Sequence, residues 1–411
     1  IFYNIFFLII LIISPIIIIV RIFLGKEDRT RFKEKFCFFS KRNKINGIIW
    51  IHGASVGEIF SIIPIVKKFE KDKKIKKILI TSTTKSSSYI LSKYKFKKTV
   101  HQFYPLDLNI LTKIFIDHWK PKIAIFVDSE IWPNMFNNLH KKNIPIILIN
   151  ARITKKSFNR WKNISFFSKN LFEKFDICLS QNKETQKYLK YLGAKKIKIL
   201  GNLKFSETNN EKKENINNKL IKIFKSRKIW CAASTHNVEE KISALTHKKL
   251  KKKYKNLLTI IIPRHIQRTN DIIYETKNLG LNAQTRSSGN KISNDTDIYL
   301  VDTYGESKSF YKICKTVFLG GSLINHGGQN PIEAARFGCQ IIHGPNVQNF
   351  TEVYELLKKN NISFKIKNID QLAHHVEKSF TKKKFSKMTD KLKKIGLNIL
   401  GKIYNEVDNY I

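Results

Sequence analysis

Residues 48–63, IIWIHGASVGEIFSII, constrain the fold of this chain more tightly than any other run. Ile48–Ile51 is apolar and β-branched, as in a parallel strand buried on both faces. Gly53, Ala54, Ser55 and Gly57 permit a tight turn, and Ile59, Ile62, Ile63 and Val66 then recur at the helical period. Glu58 therefore falls where the carboxyl end of a strand meets a helix N-terminus. In open α/β sheets ligands bind in that crevice, because backbone N–H groups and the helix dipole point into it. First-turn acids also favour helices on electrostatic grounds alone, so the position fits a plain cap as well as a functional carboxylate.

The alternation continues along the chain. Lys77–Ser82, Thr99–Tyr104, Lys122–Val127, Ile144–Asn150, Ile177–Ser180 and Lys196–Leu200 read as strands, with helical patterns such as Leu106–Trp119, Met135–Lys142 and Lys183–Tyr191 between most of them. A second set follows at Ile229–Ala233, Leu257–Ile262, Asp297–Val301, Thr316–Leu319 and Gln340–Ile342. Strands alternating with helices predict α/β architecture with parallel sheets covered on both faces. Glu207–Asn218, ETNNEKKENINN, has no apolar periodicity and reads as a linker. The 411 residues suffice for about two domains with real cores. The expected organisation is a membrane anchor over 1–24, a basic juxtamembrane segment over 25–47, and a first Rossmann-like domain over 48–206. The linker over 207–218, a second Rossmann-like domain over 219–382 and a basic C-terminal helix over 383–411, packed back on the first domain, complete it. Two such domains are expected to leave a cleft between their strand ends.

Ile1–Leu24 is apolar apart from Asn4, Ser14, Arg21 and Pro15, and its length matches the roughly 20 residues that cross a bilayer. No basic n-region or small-x-small cleavage site marks it as a signal peptide. Lys26, Arg29, Arg31, Lys33 and Lys35 follow at once, which by the positive-inside rule places the globular part in the cytoplasm. The segment either spans the membrane or lies in one leaflet bent at Pro15. Seventy-six Lys and Arg against 32 Asp and Glu give a net charge of +44, which draws a protein towards phosphates in nucleic acid, anionic lipid or a phosphorylated substrate. The abundance of Lys, Ile, Asn and Phe fits AT-rich coding equally well. The Lys248–Lys253 run, broken only by Leu250, reads as a solvated helix face. No repeat, zinc spacing or RNA-binding aromatic motif accompanies the charge, so a nucleic-acid partner is not expected. The five cysteines are odd in number and scattered, without a CxxC pair, which argues for a reducing compartment and against a disulfide framework or catalytic thiol.

Polar residues of interest fall at strand ends. In the first half they are Glu58, Thr81–Thr84, Asp128-Ser129-Glu130, and Lys204 after Gly201-Asn202-Leu203. In the second half they are Ser234-Thr235-His236, Pro263-Arg264-His265, Asp302–Glu306, and Gly320-Gly321-Ser322 leading through Gly327-Gly328 to Asn330–Glu333. The second set reads as a nucleotide site. Paired glycines let backbone amides approach a phosphate, Arg264 offers a bidentate fork, and Glu333 accepts from ribose hydroxyls. Absence of GxxxxGK[ST] excludes a P-loop hydrolase, and absence of GxGxxG after the first strand counts against a dinucleotide oxidoreductase. His52, His236, His265, His326 and His343 are isolated along the chain, and no metal or cofactor is expected.

Together, WIHGASVGE (50–58), DSEIWPN (128–134), LINARIT (148–154), GNLKF (201–205), AASTH (232–236), PRH (263–265) and GGSLINHGGQNPIEAA (320–335) resemble the 3-deoxy-D-manno-octulosonic acid (Kdo) transferase family, in the family's order and over nearly the whole chain. The resemblance implies a GT-B fold of two Rossmann-like domains. It also implies inverting transfer of Kdo from CMP-Kdo to a phosphorylated lipid A precursor in lipopolysaccharide assembly, at the cytoplasmic face of a Gram-negative inner membrane. By resemblance, Glu58 is the proton acceptor, and Glu130 and Lys204 support the transition state. Pro263, Arg264, Tyr304, Gly305, Glu306, Asn330, Pro331, Ile332 and Glu333 hold CMP. The chain departs from the family pattern at Tyr304, which stands for a usual Met, at Asp128-Ser129-Glu130 in place of Glu-Thr-Glu, and at Gln329 in place of a common His. The leaving phosphate monoester would be held by Arg264 and the glycine-turn amides. The anionic membrane and acceptor would give the basic surface a role. The alternatives are another GT-B transferase using a UDP- or GDP-sugar, and a membrane-tethered basic binding protein without turnover, whose polyanion affinity would fall steeply with salt.

Overall fold

The computed structural model describes residues 2–41, 45–206, 216–289, 292–381 and 386–411. The chain forms two compact units. Unit 1 comprises Ile1–Asn209 together with Lys394–Ile411, and unit 2 comprises Asn210–Lys393. Most of the expected linker, 207–215, lies outside the described residues.

Unit 1 is built on seven parallel strands: β1 (Ile48–His52), β2 (Ile78–Ser82), β3 (Thr99–Phe103), β4 (Pro121–Val127), β5 (Ile146–Ala151), β6 (Ile177–Ser180) and β7 (Ile197–Ile199). Their order in the sheet is β3-β2-β1-β4-β5-β6-β7, with all pairs parallel. The central strands β1 and β5 are buried at every position because helices cover both faces, and that is why they read as unbroken apolar runs. Trp50, Phe115, Trp119, Phe126, Phe136 and Phe172 form the aromatic part of the core.

Unit 2 repeats the plan with β8 (Lys228–Thr235), β9 (Leu257–Pro263), β10 (Ala283–Thr285), β11 (Ile298–Leu300), β12 (Thr316–Leu319), β13 (Gln340–His343) and β14 (Ser363–Lys365). The order is β10-β11-β9-β8-β12-β13-β14, again parallel. The two edge strands, β10 and β14, are additions to the sequence reading. Each has three residues and pairs on one side only, so neither needs an apolar run.

The N-terminal helix α1 runs from Phe2 to Phe23 with Pro15 inside it. Among the described residues no helix is long and apolar enough to cross a membrane, so the expectation of a spanning segment is not carried by the structure. Ser14 and Ile18 are buried on one face, while Ile16, Ile17, Ile19, Val20, Phe23 and Leu24 are exposed. The basic stretch that follows is only partly a surface feature. Arg31 binds the buried Glu34 through two guanidinium contacts of 2.8 and 3.0 Å, and Lys35 binds the buried Glu27 at 2.7 Å. Glu34 also accepts from the Phe103 amide at 2.9 Å. These two cations therefore latch residues 27–35 to β3 rather than facing solvent.

The Lys248–Lys253 run is an ion-paired helix face, with Lys249, Lys251 and Lys253 reaching Asp370, Asp297 and Glu377. All five cysteines are free, four of them buried. Burial pushes the Cys37 thiol up to about 12, so it is not a ready nucleophile.

The last helix, Ser386–Asp408, contributes its residues from Lys394 onward to unit 1. Gly396 lies against the backbone of Phe205 and Ser206, and a Cβ there would collide with the Phe205 carbonyl, whereas at Gly401 it would meet nothing within 4 Å. Gly396→Ala should therefore lower unfolding free energy by about 1–3 kcal/mol through forced backbone displacement. Gly401→Ala should raise it by up to about 1 kcal/mol through helix propensity. Urea denaturation of the two variants checks the pair, and equal effects would contradict the close approach.

Candidate active site

The sheet of unit 1 reverses its order of growth between β1 and β4, and the crevice at such a switch is where the carboxyl ends of strands leave room for a ligand. Glu58 enters this crevice from the first turn of α2 (Val56–Lys71). Ser55 Oγ accepts from the Glu58 amide at 3.3 Å, and the Glu58 carboxylate accepts from the Ala54 amide at 2.7 Å and from Ser55 Oγ at 2.8 Å. This is a capping box, so the cap suggested by sequence is real. Capping alone does not explain the electrostatics. The Glu58 carboxyl is pushed up to about 7, first by burial and next by the Glu130 charge, with Asp128 adding to the rise and the Ser55 and Ala54 hydrogen bonds opposing it.

Glu130 lies just beyond β4. Its Oε2 accepts from Trp132 Nε1 at 2.9 Å and lies 3.3 Å from His52 Nε2. Asp128 sits at φ +57°, a left-handed conformation that Asp tolerates better than most residues. Burial raises its carboxyl, against the lowering effects of Lys204, Asn150 and Arg152. Asn150 Nδ2 donates to Asp128 Oδ1, and Lys204 Nζ stands 3.9 Å from Asp128 Oδ2. The backbone around Lys204 is fixed by Leu203 N–H donating to Asn150 Oδ1 at 2.7 Å and Lys204 N–H donating to Asn202 Oδ1 at 2.9 Å. Gln181 closes the ring by donating to the Asn150 carbonyl at 2.9 Å and accepting from Asn202 at 3.1 Å. Glu58, Glu130 and Lys204 thus gather at one end of one sheet. Asp128, Asn150, Gln181 and His52 support them.

In unit 2 the switch lies between β8 and β12. Pro263 is the buried last residue of β9, and the Arg264 amide donates to the Thr235 carbonyl at 2.9 Å, leaving an exposed side chain. After β11, Tyr304 is exposed and Gly305 takes φ +87°, which favours glycine. Glu306 receives the Arg286 guanidinium at 3.0 and 3.2 Å as well as the Thr303 hydroxyl, and these hold its carboxyl low in spite of burial. Asn330 Oδ1 accepts from the Ile332 amide at 3.1 Å, Pro331 and Ile332 are buried, and Glu333 pairs with Lys308 at 3.4 Å. The predicted nucleotide residues therefore follow β9, β11 and β12, which lie on both sides of β8.

Two sequence expectations are corrected in unit 2. The amides of the Gly320-Gly321-Ser322 turn are not all open to a phosphate. The buried Glu239 carboxylate accepts from Gly321 at 2.7 Å, Ser322 at 3.0 Å and Leu323 at 2.9 Å, and from His236 at 3.0 Å. An internal carboxylate fills the place where an anion would sit. The histidines, isolated in sequence, are not isolated in space. The His236 ring centre is 4.4 Å from that of His326 and 5.5 Å from that of His265. Burial, with His326, His265 and Arg264 adding to it, lowers His236 to about 4, and its buried Nε2 has no hydrogen-bond partner among the described residues. No group of three His, Cys, Asp or Glu among the described residues is placed to hold a metal ion. Glu239 gave no sequence signal beyond a first-turn acid, and the histidine group gave none because its members follow different strands.

Two parallel-sheet α/β units, each with its polar residues beyond the strand ends at its switch point, define a GT-B-like fold. A putative UDP-N-acetylglucosamine 2-epimerase from Listeria monocytogenes shares that fold, with a TM-score of 0.62 at 11% identity over 89% of this chain and 98% of its own. The family model of 3-deoxy-D-manno-octulosonic-acid transferase (kdotransferase) matches residues 30–207. The 3-deoxy-D-manno-octulosonic acid transferase of Rickettsia bellii is 35% identical over 365 residues, 88% of this chain and 86% of that protein. The corresponding Haemophilus influenzae transferase is 32% identical over 334 residues, 80% of this chain and 78% of its own length. The chain belongs to the Kdo transferase family and is a glycosyltransferase.

The raised Glu58 carboxyl has a stability consequence. A group whose folded pKa lies above its unfolded value near 4.5 favours folding below that value and loses the contribution as pH rises towards about 7. Glutamine preserves the capping acceptor but carries no charge. Glu58→Gln should match wild type in thermal stability near pH 4.5, become progressively more stable than wild type up to about pH 7, and hold a constant advantage above it. Melting curves across that range check this, and a pH-independent difference would contradict the raised carboxyl.

Proposed function

We propose that this chain transfers Kdo from CMP-Kdo to a phosphorylated lipid A precursor by inverting displacement, with Glu58 as the base. The observation that carries the reading is the Glu58 carboxylate at the switch point of unit 1, raised to about 7 beside Glu130. A general base works best when its pKa lies near the working pH. In the proposed step an acceptor hydroxyl oxygen bonds to the anomeric carbon of Kdo as its proton passes to Glu58. The bond from that carbon to the phosphate oxygen breaks, and the electron pair leaves with CMP.

Positive charge develops at the anomeric carbon as that bond loosens. The Glu130 carboxylate, held by Trp132, is suited to face it. Lys204, steadied by Asp128, offers an ammonium to the sugar's own carboxylate. In unit 2 the nucleotide falls to Pro263, Arg264, Tyr304, Gly305, Glu306 and Asn330–Glu333. Arg264 is the exposed cation of this set, and its planar fork suits the departing phosphate monoester. Tyr304 leaves a backbone contact open, and its ring is exposed.

Attachment to the cytoplasmic face of the inner membrane completes the reading. It is supported by the exposed apolar face of α1 and by the exposed Lys26, Arg29 and Lys33 beside it. Such a helix binds a surface through its apolar side and its cations without needing to span.

The test is mass spectrometry of the products formed by the purified chain from a phosphorylated lipid A precursor with CMP-Kdo, and separately with UDP- and GDP-sugars. The expected result is a Kdo-bearing lipid with CMP-Kdo and no product with the others. Transfer from a UDP- or GDP-sugar without transfer from CMP-Kdo would overturn the donor assignment.

A further inference from the structure

Behind Glu130 lies a row of buried groups that the proposed reaction does not use. Trp50 Nε1 donates to Thr81 Oγ1 at 2.9 Å, Thr81 Oγ1 lies 2.9 Å from His52 Nδ1, and His52 Nε2 lies 3.3 Å from Glu130 Oε2. Trp50, His52 and Thr81 are completely buried. Trp50 and His52 are on β1 and Thr81 is on β2, paired with His52 in the sheet register. The row therefore belongs to the framework of the sheet rather than to a loop.

The chemistry of each member fixes the direction of the row. An indole N–H can only donate, so Thr81 Oγ1 accepts from Trp50. The threonine proton then needs an acceptor, and the other hydrogen-bonding neighbour of Thr81 Oγ1 among the described residues is His52 Nδ1. If Nδ1 receives that proton, it carries none itself, and the ring hydrogen resides on Nε2, facing the Glu130 carboxylate. A hydrogen on Nδ1 would leave the buried Thr81 hydroxyl proton without an acceptor.

We infer that Trp50, Thr81 and His52 form a one-way donor chain that locks His52 as the Nε2–H tautomer and holds the Glu130 side chain in a fixed place, which makes His52 a positioning residue for transfer. This rests on the reading of Glu130 and Glu58 given above. Glu130 then takes two N–H donors on one oxygen, His52 from the sheet and Trp132 from beyond the strand. The Tyr104 ring packs 4.0 Å from the imidazole, with Phe126 and Trp132 at 5.7 and 6.0 Å, so the histidine cannot tilt away. The ionisable groups around the chain are Glu58 from α2, Asp128 after β4, Tyr104 after β3, and Lys204 and Arg152, which face Asp128. A fixed negative charge on Glu130 is one of the causes that keep the Glu58 carboxyl high. His52 thus acts on the base through Glu130 and touches no substrate.

Two measurements test this. The full chain labelled with ¹⁵N-histidine should show the neutral form of His52 with a hydrogen-bearing Nε2 and a bare Nδ1. A neutral ring with its hydrogen on Nδ1 would overturn the chain, whatever the enzyme transfers. In turnover assays His52→Phe, which keeps a ring but neither nitrogen, should lower kcat at least tenfold and leave KM for CMP-Kdo within about twofold, since the proposed nucleotide residues lie in the other unit. It should also move the acidic limb of the kcat profile to lower pH, because a Glu130 side chain no longer held in that place repels Glu58 less. His52→Gln, whose amide can still donate to Glu130, should recover most of the lost kcat. Trp132→Phe, which removes the second donor at a partly exposed position, should shift the limb in the same direction and stands in if His52→Phe fails to fold. An unshifted limb with unchanged kcat in the folded variants would overturn the positioning role. Absence of Kdo transfer by wild type alongside the stated His52 tautomer would instead overturn the functional reading and leave the donor chain standing.

Discussion

Crowding of Glu58, Asp128 and Glu130 at the carboxyl ends of β1 and β4 is the constraint on which the rest of unit 1 depends. Like charges in a partly water-excluded place repel, and the protein answers with a donor set for each. Glu58 takes the Ala54 amide and the Ser55 hydroxyl, Glu130 takes Trp132 and His52, and Asp128 takes Asn150 with Lys204 nearby. The sheet order makes the crowding unavoidable. β1 and β4 are neighbours with His52 level with Phe126, so whatever follows each strand emerges side by side. Burial raises the Glu58 carboxyl to about 7 and the Asp128 carboxyl as well, but the Lys204 charge opposes the rise at Asp128, whereas the Glu130 charge is the next largest cause of the rise at Glu58. That inequality is what a proton-accepting site needs.

The backbone shows where this arrangement is costly. Asp128 and Asn150 in unit 1, and Ser234 and Val238 in unit 2, have positive φ, and all four lie at or just beyond strand ends of the candidate site. For the β-branched Val238, at φ +78°, the strain is of order 1–3 kcal/mol. Its neighbour Glu239 offsets such strain by tying four amides with one carboxylate. Unit 2 therefore presents a pre-tied scaffold. In the proposed reading an anion would be held by side chains, with Arg264 exposed and the buried His236 Nε2 without a hydrogen-bond partner among the described residues.

Much of this was legible in the sequence, for identifiable reasons. Parallel strands buried on both faces must be apolar throughout, so β1, β5 and β9 read directly, whereas the short edge strand Ala283–Thr285 carries no such requirement. Glu58, Glu130 and Lys204 stood out because chemistry-bearing residues just past a strand are conspicuous. Their supports did not stand out. Asn150 and Gln181 are ordinary polar residues whose contacts join different strands, and Glu239 has the appearance of a helix-start acid. The isolation of the histidines along the chain hid a group that β8, β9 and the loop after β12 bring together. For the N-terminal stretch, apolar length carries no record of burial, and, among the described side chains from Ile13 to Leu24, Ser14 and Ile18 are buried while Ile16, Ile17, Ile19 and Val20 are exposed.

The central claim is that Glu58 takes the acceptor's proton, and the kinetics of Glu58→Gln test it most directly. Glutamine fills the same volume and keeps the capping acceptor, so CMP-Kdo should bind as in wild type by calorimetry. Turnover with the lipid acceptor should fall by at least the roughly 10²-fold typical of losing a general base. Turnover within a few-fold of wild type, with binding intact, would show that Glu58 is a helix cap and nothing more.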